Sequence, residues 1–210
     1  MAGEPAVHLV DDEAPVRDAL AFLLHSHGLP ACTYASGPEL LAALDAGPLR
    51  GCIVLDVRME PLSGLQVHDA LVARGVALPV LFLSGHGDIP MAVDALHKGA
   101  FDFVEKPFSD DALVERVQRA LRLEARQHAA RDDEERAAAQ LASLTDREHE
   151  VMLRVAAGKL NKVIADELGI AIRTVEVHRA RVFAKLAVRS AAEVATLLAR
   201  HPLEAQERGR

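Results

Sequence analysis

Four apolar runs, each closing on a charged or small polar residue, recur along the first half of the chain with helix-like stretches between them. AVHLV at 6–10 runs into Asp11, Asp12 and Glu13, and GCIVLD at 51–56 ends on Asp56. PVLFLSG at 79–85 passes through Ser84, and AFDFVEK at 100–106 ends on Lys106. LPACTYA at 29–35 is a weaker fifth run. The stretches between them are APVRDALAFLLHSHG, GPELLAALDAG, LSGLQVHDALVARG and IPMAVDALHKGA. Each has helical length and most end on glycine, a common helix terminator. Strands alternating with helices predict a five-stranded parallel sheet, doubly wound and covered on both faces. Ligands of such sheets sit beyond the carboxyl ends of the strands. Asp11, Asp12, Asp56, Ser84 and Lys106 all fall there.

After Ser109 the pattern turns helical and stays so. Ser109 is placed to cap a helix with Asp110 and Asp111 in its first turn. Leu113, Val117 and Leu121 give it an apolar stripe that fades near Ala125 into EARQHAARDDEERAAAQ. That polar, Ala-rich stretch reads as a helical or partly frayed linker without a core face. A new helix starts at Thr145, where TDRE has the form of a capping box. KLNKVIADEL, RTVEVHRARVFAKL and SAAEVATLLAR follow, giving a small all-α module. The expected division is therefore 1–125, a linker over 126–142, and 143–210.

Charge supports the division. Residues 1–127 carry 10 basic and 18 acidic side chains, a net of −8, and residues 128–142 a net of −2. Residues 143–210 carry 12 basic and 9 acidic, a net of +3, so only this end suits a polyanion. No apolar run is long enough for a membrane span, and the first residues lack the basic-then-apolar order of a secretion signal. A cytoplasmic protein without membrane association is expected. Cys32 and Cys52 lie in strand-like runs and read as two reduced core thiols. The ten histidines form no ligand-spaced cluster with each other or with cysteine, so zinc is not expected.

Three carboxylates at two neighbouring strand ends repel one another unless a cation sits among them. All-oxygen ligation favours Mg2+. A lysine and a small hydroxyl at further strand ends can neutralise and hydrogen-bond a phosphoryl oxygen. Acceptor, metal and cation together are what aspartyl phosphate formation requires. Taken alone, Asp11, Asp12 and Glu13 read equally well as the cap of the next helix.

VDDEAPVRDAL, VLDVRM, SGHGDIPMAV and GAFDFVEKPF together resemble the receiver of a two-component response regulator of the FixJ/NarL type, over residues 6–125. The resemblance implies a flavodoxin-like α/β fold with Asp56 as phosphoacceptor. It implies Mg2+ on the side chains of Asp12 and Asp56 and on the main-chain carbonyl of Arg58, with Asp11 assisting through water. Ser84 and Lys106 would hold the phosphoryl oxygens, Lys106–Pro107 would be cis, and Phe103 would be the aromatic switch. On the residues alone, Phe103 reads equally as core. Two positions depart from the family pattern: Glu60 stands where proline usually follows VRM, and Ser84 replaces the commoner threonine.

LTDRE, AAGKLNKVIADELGI and RTVEVHRARVFAKL in order resemble the LuxR/FixJ-type helix-turn-helix domain, over residues 144–200. Gly169 falls between two helices, where a left-handed turn needs it. Val175, Val182 and Leu186 line one face of the second helix. Arg173, Val177, Ala180, Arg181 and Ala184 face the other way, a mixture of cations and small residues suited to a major groove. Lys162, Thr174, His178 and Lys185 fit phosphate contacts. Arg173 adds charge, and Glu176, Val177, Ala180 and Arg181 are placed for base edges. Ala171 stands where the family often has a capping serine, and loss of such a cap costs about 0.5–2 kcal/mol.

Together these imply a transcriptional regulator phosphorylated by a sensor histidine kinase. It would dimerise through the face of residues 89–98 and 100–104, and bind a two-fold symmetric double-stranded DNA site. RNA polymerase is a further partner the resemblance admits. The rivals are a constitutive DNA-binding protein with a non-signalling receiver, an aspartyl-phosphate enzyme, and a protein adaptor. An enzyme of that kind commonly has an acid two residues after its nucleophile. Here that residue is Arg58.

Overall fold

The structure is a computed structural model that describes residues 3–85 and 89–201, with residues 89–92 as backbone. Contacts divide the chain into a first unit ending at His128 and a second starting at Ala129.

The first unit alternates strand and helix: β1 (Ala6–Val10), α1 (Ala14–Ser26), β2 (Ala31–Tyr34), α2 (Gly37–Ala46), β3 (Gly51–Asp56), α3 (Gly64–Ala73), β4 (Val80–Ser84), α4 (Ile89–His97) and β5 (Asp102–Glu105). Pairing is parallel throughout, in the order β2-β1-β3-β4-β5. The order reverses between β1 and β3, which opens a crevice at their carboxyl ends. Strand residues alternate between two cores, as the period of two requires. Val7, Leu9, Cys52, Val54, Leu81 and Leu83 pack under α1 and the following helix, α5 (Asp110–Ala142). Val10, Ile53, Leu55, Val80 and Phe82 pack against Leu40, Val67, Leu71 and Ala95. β1, β3 and β4 are buried along their whole length, as expected of parallel strands covered on both faces.

Polar side chains tie β1 and the residue before β3 to their neighbours. The His8 ring donates from Nε2 to the Arg50 carbonyl (3.0 Å), which leaves Nδ1 to accept from the Tyr34 hydroxyl (3.0 Å). Burial lowers the His8 pKa against that carbonyl, consistent with a neutral ring. Arg50 grips the buried Glu124 of α5 through both Nε and Nη2.

Ser109 caps α5 as expected, accepting from the Ala112 amide. α5 then runs unbroken for 33 residues. Two expectations need correction. The stretch read as a linker without a core face does bury a residue, Ala137, and its end packs Leu141 against the second core. Ala137 is small enough to be enclosed without an apolar stripe to announce it. Cys32 is exposed on the edge strand β2, so only Cys52 is a core thiol.

The second unit adds α6 (Asp146–Ala156), α7 (Asn161–Leu168), α8 (Ile172–Leu186) and α9 (Ala191–Arg200). Its core is Val151, Met152, Val155, Ile164, Val175, Val182, Leu186 and Val194. Thr145 and Glu148 form the capping box read from TDRE. Gly169 takes φ 64° between α7 and α8, where its missing Cβ avoids strain. Ala171 precedes α8 with no side-chain cap, as expected. Among the described residues no helix is long and apolar enough to cross a membrane.

Candidate functional site

The carboxyl ends of β1, β3, β4 and β5 gather the predicted polar residues. Asp11 and Asp56 are buried there, and so is Ser84, whose hydroxyl donates to the Gly85 carbonyl (3.1 Å). The Lys106 ammonium reaches between the two acids, 2.6 Å from Asp56 Oδ1 and 3.4 Å from Asp11 Oδ2. The other oxygens have partners too. Asp11 Oδ1 accepts from the Glu13 amide (2.9 Å), and Asp56 Oδ2 from the Arg58 amide (2.7 Å). Asp12 is exposed beside them, where its Oδ2 accepts weakly from the Glu60 amide at 3.4 Å.

Burial pushes the Asp56 carboxyl above its ordinary value, with the Asp11 charge adding to it, against the opposing pull of Lys106 and the Arg58 amide. For Lys106, burial works against the charge, but the bond to Asp56 and the charges of both acids outweigh it and raise the pKa. The cation therefore stays charged in a pocket that resists a second negative charge.

Phe103 is half-buried on β5, its ring 6.1 Å from that of Phe82 in the core. Lys106–Pro107 is cis as expected, and Glu60–Pro61 is cis as well. Residues 86–88 of the SGHGDIPMAV run, and the side chains of 89–92 on the expected dimer face, lie outside the described residues. The rest of that face exposes Val93 and Leu96.

The donor set fits a hard divalent cation, since the carboxylates are all-oxygen ligands and two of them are enclosed. Among the described residues, though, no three such side chains meet at one metal-binding point. What stands between Asp11 and Asp56 in this structure is Lys106.

Two residues of the site went unread in the sequence. Arg17 of α1 donates from Nη1 to the Asp11 carbonyl (2.7 Å) and so fixes the acidic turn. One helical turn along, behind VDDE, it looks like an ordinary exposed helix cation. Gly64 opens α3 with its amide 3.0 Å from the Val57 carbonyl. A Cβ there would lie 2.1 Å from the Asp56 carbonyl oxygen. A lone glycine after a serine looks like part of a turn, and only the structure shows what it touches.

In the second unit α8 turns Val175, Val182 and Leu186 inward and leaves Arg173, Thr174, Glu176, Val177, Ala180 and Arg181 exposed. Lys162 is exposed in the first turn of α7. Arg173 lies 3.9 Å from Glu176, a loose pair on the same face. His178 is half-buried, with Nδ1 enclosed and without a hydrogen-bond partner. Arg179 joins α8 to the start of α7 through Asn161 (2.9 Å) and lies over the Phe183 ring. Lys185 differs most from expectation. Its ammonium is engaged by Glu148 (2.7 Å) and the Ser143 carbonyl (2.8 Å).

Glu148 is buried, and Lys185 together with the Thr145 amide holds its pKa down to about 2. A carboxyl depressed in the folded state stabilises above its unfolded value of about 4.3, and that stability drains as pH falls toward the folded value. Urea titrations at pH 5.5 and at pH 3 should show the second unit losing about 1 kcal/mol across this window, a value discounted because Lys185 is partly solvated. Glu148→Gln should lose none of that share, and equal losses in both proteins would refute the assignment.

Residues 7–118 match the family model described as "Response regulator receiver domain", and residues 142–198 that described as "Bacterial regulatory proteins, luxR family". The chain is a two-component response regulator of the LuxR type. This regulator is 49% identical to the C4-dicarboxylate transport transcriptional regulatory protein DctR of Rhodobacter capsulatus, over 91% of its own length and 98% of that protein's. It is 45% identical to the transcriptional regulatory protein FixJ of Azorhizobium caulinodans, over 90% and 89% of the two chains. Among solved structures, the response regulator StyR superposes with a TM-score of 0.86 at 38% identity, covering 95% of the regulator and all of StyR. Full-length FixJ from B. japonicum superposes with a TM-score of 0.58 at 40% identity, covering 94% and 97%. The regulator thus pairs a receiver with a LuxR-type DNA-binding domain.

Proposed function

We propose that a sensor histidine kinase passes a phosphoryl group to Asp56, and that this governs DNA binding by α7 and α8 in the cytoplasm. The observation that carries the reading is Lys106 set between Asp56 and the buried Asp11, at the crevice of the sheet. An Asp56 oxygen attacks phosphorus, the P–N bond of the phosphohistidine breaks, and its electron pair stays on the imidazole, which is protonated from water. Lys106 is already charged and close enough to hold a phosphoryl oxygen, and Ser84 sits at the next strand end. Mg2+ held by Asp12, Asp56 and the Arg58 carbonyl, with Asp11 behind, would neutralise the phosphoryl oxygens. Phe103 would follow Ser84 inward, and the α4–β5 face would then pair two copies on a two-fold symmetric duplex. Exposed Val93 and Leu96 support that pairing. RNA polymerase is the partner a bound activator would meet. Arg58, a cation, stands two residues after Asp56, where an aspartyl-phosphate enzyme commonly carries its second acid, which favours the regulator over that rival.

The test uses acetyl phosphate with Mg2+, intact-protein mass, and retention of a duplex selected by the protein from random-sequence DNA. One phosphoryl adduct and increased retention are expected. Donor turnover without an adduct would favour an enzyme, and retention indifferent to the adduct would favour a constitutive DNA-binding protein.

A further inference from the structure

We infer that Lys185 is a positioning residue, which sets the recognition helix α8 for base reading and makes no phosphate contact of its own. The inference rests on the DNA-binding reading above and replaces the phosphate role expected for this lysine.

Lys185 lies in the last turn of α8. Two of its three ammonium protons are spent, one on Glu148 Oε2 and one on the Ser143 carbonyl just beyond the end of α5. Helix ends leave carbonyls without partners, so the lysine serves there as a cap. Glu148 is 3% exposed, and the same Oε2 accepts from the Thr145 amide (2.9 Å). Drawing Lys185 out to a phosphate would strand an enclosed carboxylate, which costs more than one solvent-screened phosphate contact returns. Lys162, exposed in the first turn of α7, makes no such tie among the described residues.

α8 is therefore held at two points. Arg179 fixes it to Asn161 of α7, and Lys185 fixes it to the start of α6 and the end of α5. Two such ties set the roll of the helix about its own axis. Roll decides which of Glu176, Val177, Ala180 and Arg181 meets a base edge, whereas a phosphate contact through a long flexible side chain tolerates a few degrees of error.

The experiment uses the full chain treated with acetyl phosphate and Mg2+, at temperatures where circular dichroism shows every variant folded. Two DNAs are compared across a salt series: the duplex selected by the wild-type protein, and poly(dI–dC). Lys185→Met should weaken binding to the selected duplex about tenfold, the equivalent of one good base contact. Its affinity for poly(dI–dC) and its salt slope should match wild type, and Lys185→Arg should recover most of the loss. Lys162→Met is the contrast, with both affinities reduced and the slope of log K against log salt smaller by about 0.9. Lys185→Met behaving like Lys162→Met would overturn the inference in favour of a phosphate contact. Equal weakening on both DNAs at unchanged slope, or no change at all, would overturn it in favour of a purely structural lysine. Wild-type protein that retains neither DNA would instead remove the DNA-binding reading on which it rests.

Discussion

Asp56→Asn is expected to abolish phosphoryl uptake while raising the melting temperature of the receiver. The carboxyl is raised above its ordinary value by burial. A raised acid favours the fold only below its unfolded value of about 3.9, and that benefit is gone once pH climbs past the folded value. At pH 7 the Asp56 charge therefore works against folding. Asparagine keeps an oxygen for the Arg58 amide and leaves Lys106 its second partner, Asp11. A gain of about 1 kcal/mol, or roughly 4 °C for a unit of this size, should appear in calorimetry without Mg2+. Mg2+ should then raise the melting temperature of the wild type by mass action and that of the variant much less. Intact mass after acetyl phosphate reads the functional half. A variant that still takes up one phosphoryl group would end the acceptor assignment, and one that melts lower would end the electrostatic account. Such a trade of stability for chemistry is common at reactive sites.

Gly64→Ala should damage the same pocket from behind. The new Cβ would stand 2.1 Å from the Asp56 carbonyl oxygen and 3.1 Å from Leu55 Cγ, and the first of these neighbours is main chain that cannot rotate away. Either α3 must lift, breaking the Gly64 amide bond to Val57, or the end of β3 must shift. Overpacking of this kind costs about 1–3 kcal/mol, and a shift of β3 moves Asp56, the proposed acceptor, relative to Lys106. Misplacement by an ångström can cost about a hundredfold in rate. Denaturant melts and the rate of adduct formation should therefore both fall, with the rate loss exceeding anything the unfolded fraction explains. Wild-type stability together with wild-type rate would show that α3 yields freely. Gly47, where an added Cβ would meet nothing within 4 Å, makes a control.

The frame of the receiver was legible because each strand ended on a residue whose type made sense only in company. Asp11, Asp56, Ser84 and Lys106 were readable as a set, and the structure brings them to one edge of the sheet. The inward face of α8 was equally plain from its spacing. What escaped were relations that residue type does not encode. Arg17 and Gly64 act through main-chain atoms of Asp11 and Asp56, which no side-chain pattern announces. Lys185 reads as a free cation in the sequence because its partner Glu148 stands 37 residues earlier and also completes a capping box. Cys32 lies outside the core, against expectation, because β2 is an edge strand of four residues, too short for the alternation of inward and outward positions to decide burial.

Those two cysteines have a practical consequence. Cys52 is fully buried, with its thiol pushed up to about 12 by that burial, and the nearby Glu124 charge adds to it. Thiolate is the reactive form, so a maleimide dye offered to the native chain meets one competent target, Cys32 on the rim of the sheet. The chain has no tryptophan and a single tyrosine, and is nearly dark of itself. A probe at Cys32 would report on the regulator without any engineered residue, and the later appearance of a second labelled site would time the opening of the core around Cys52.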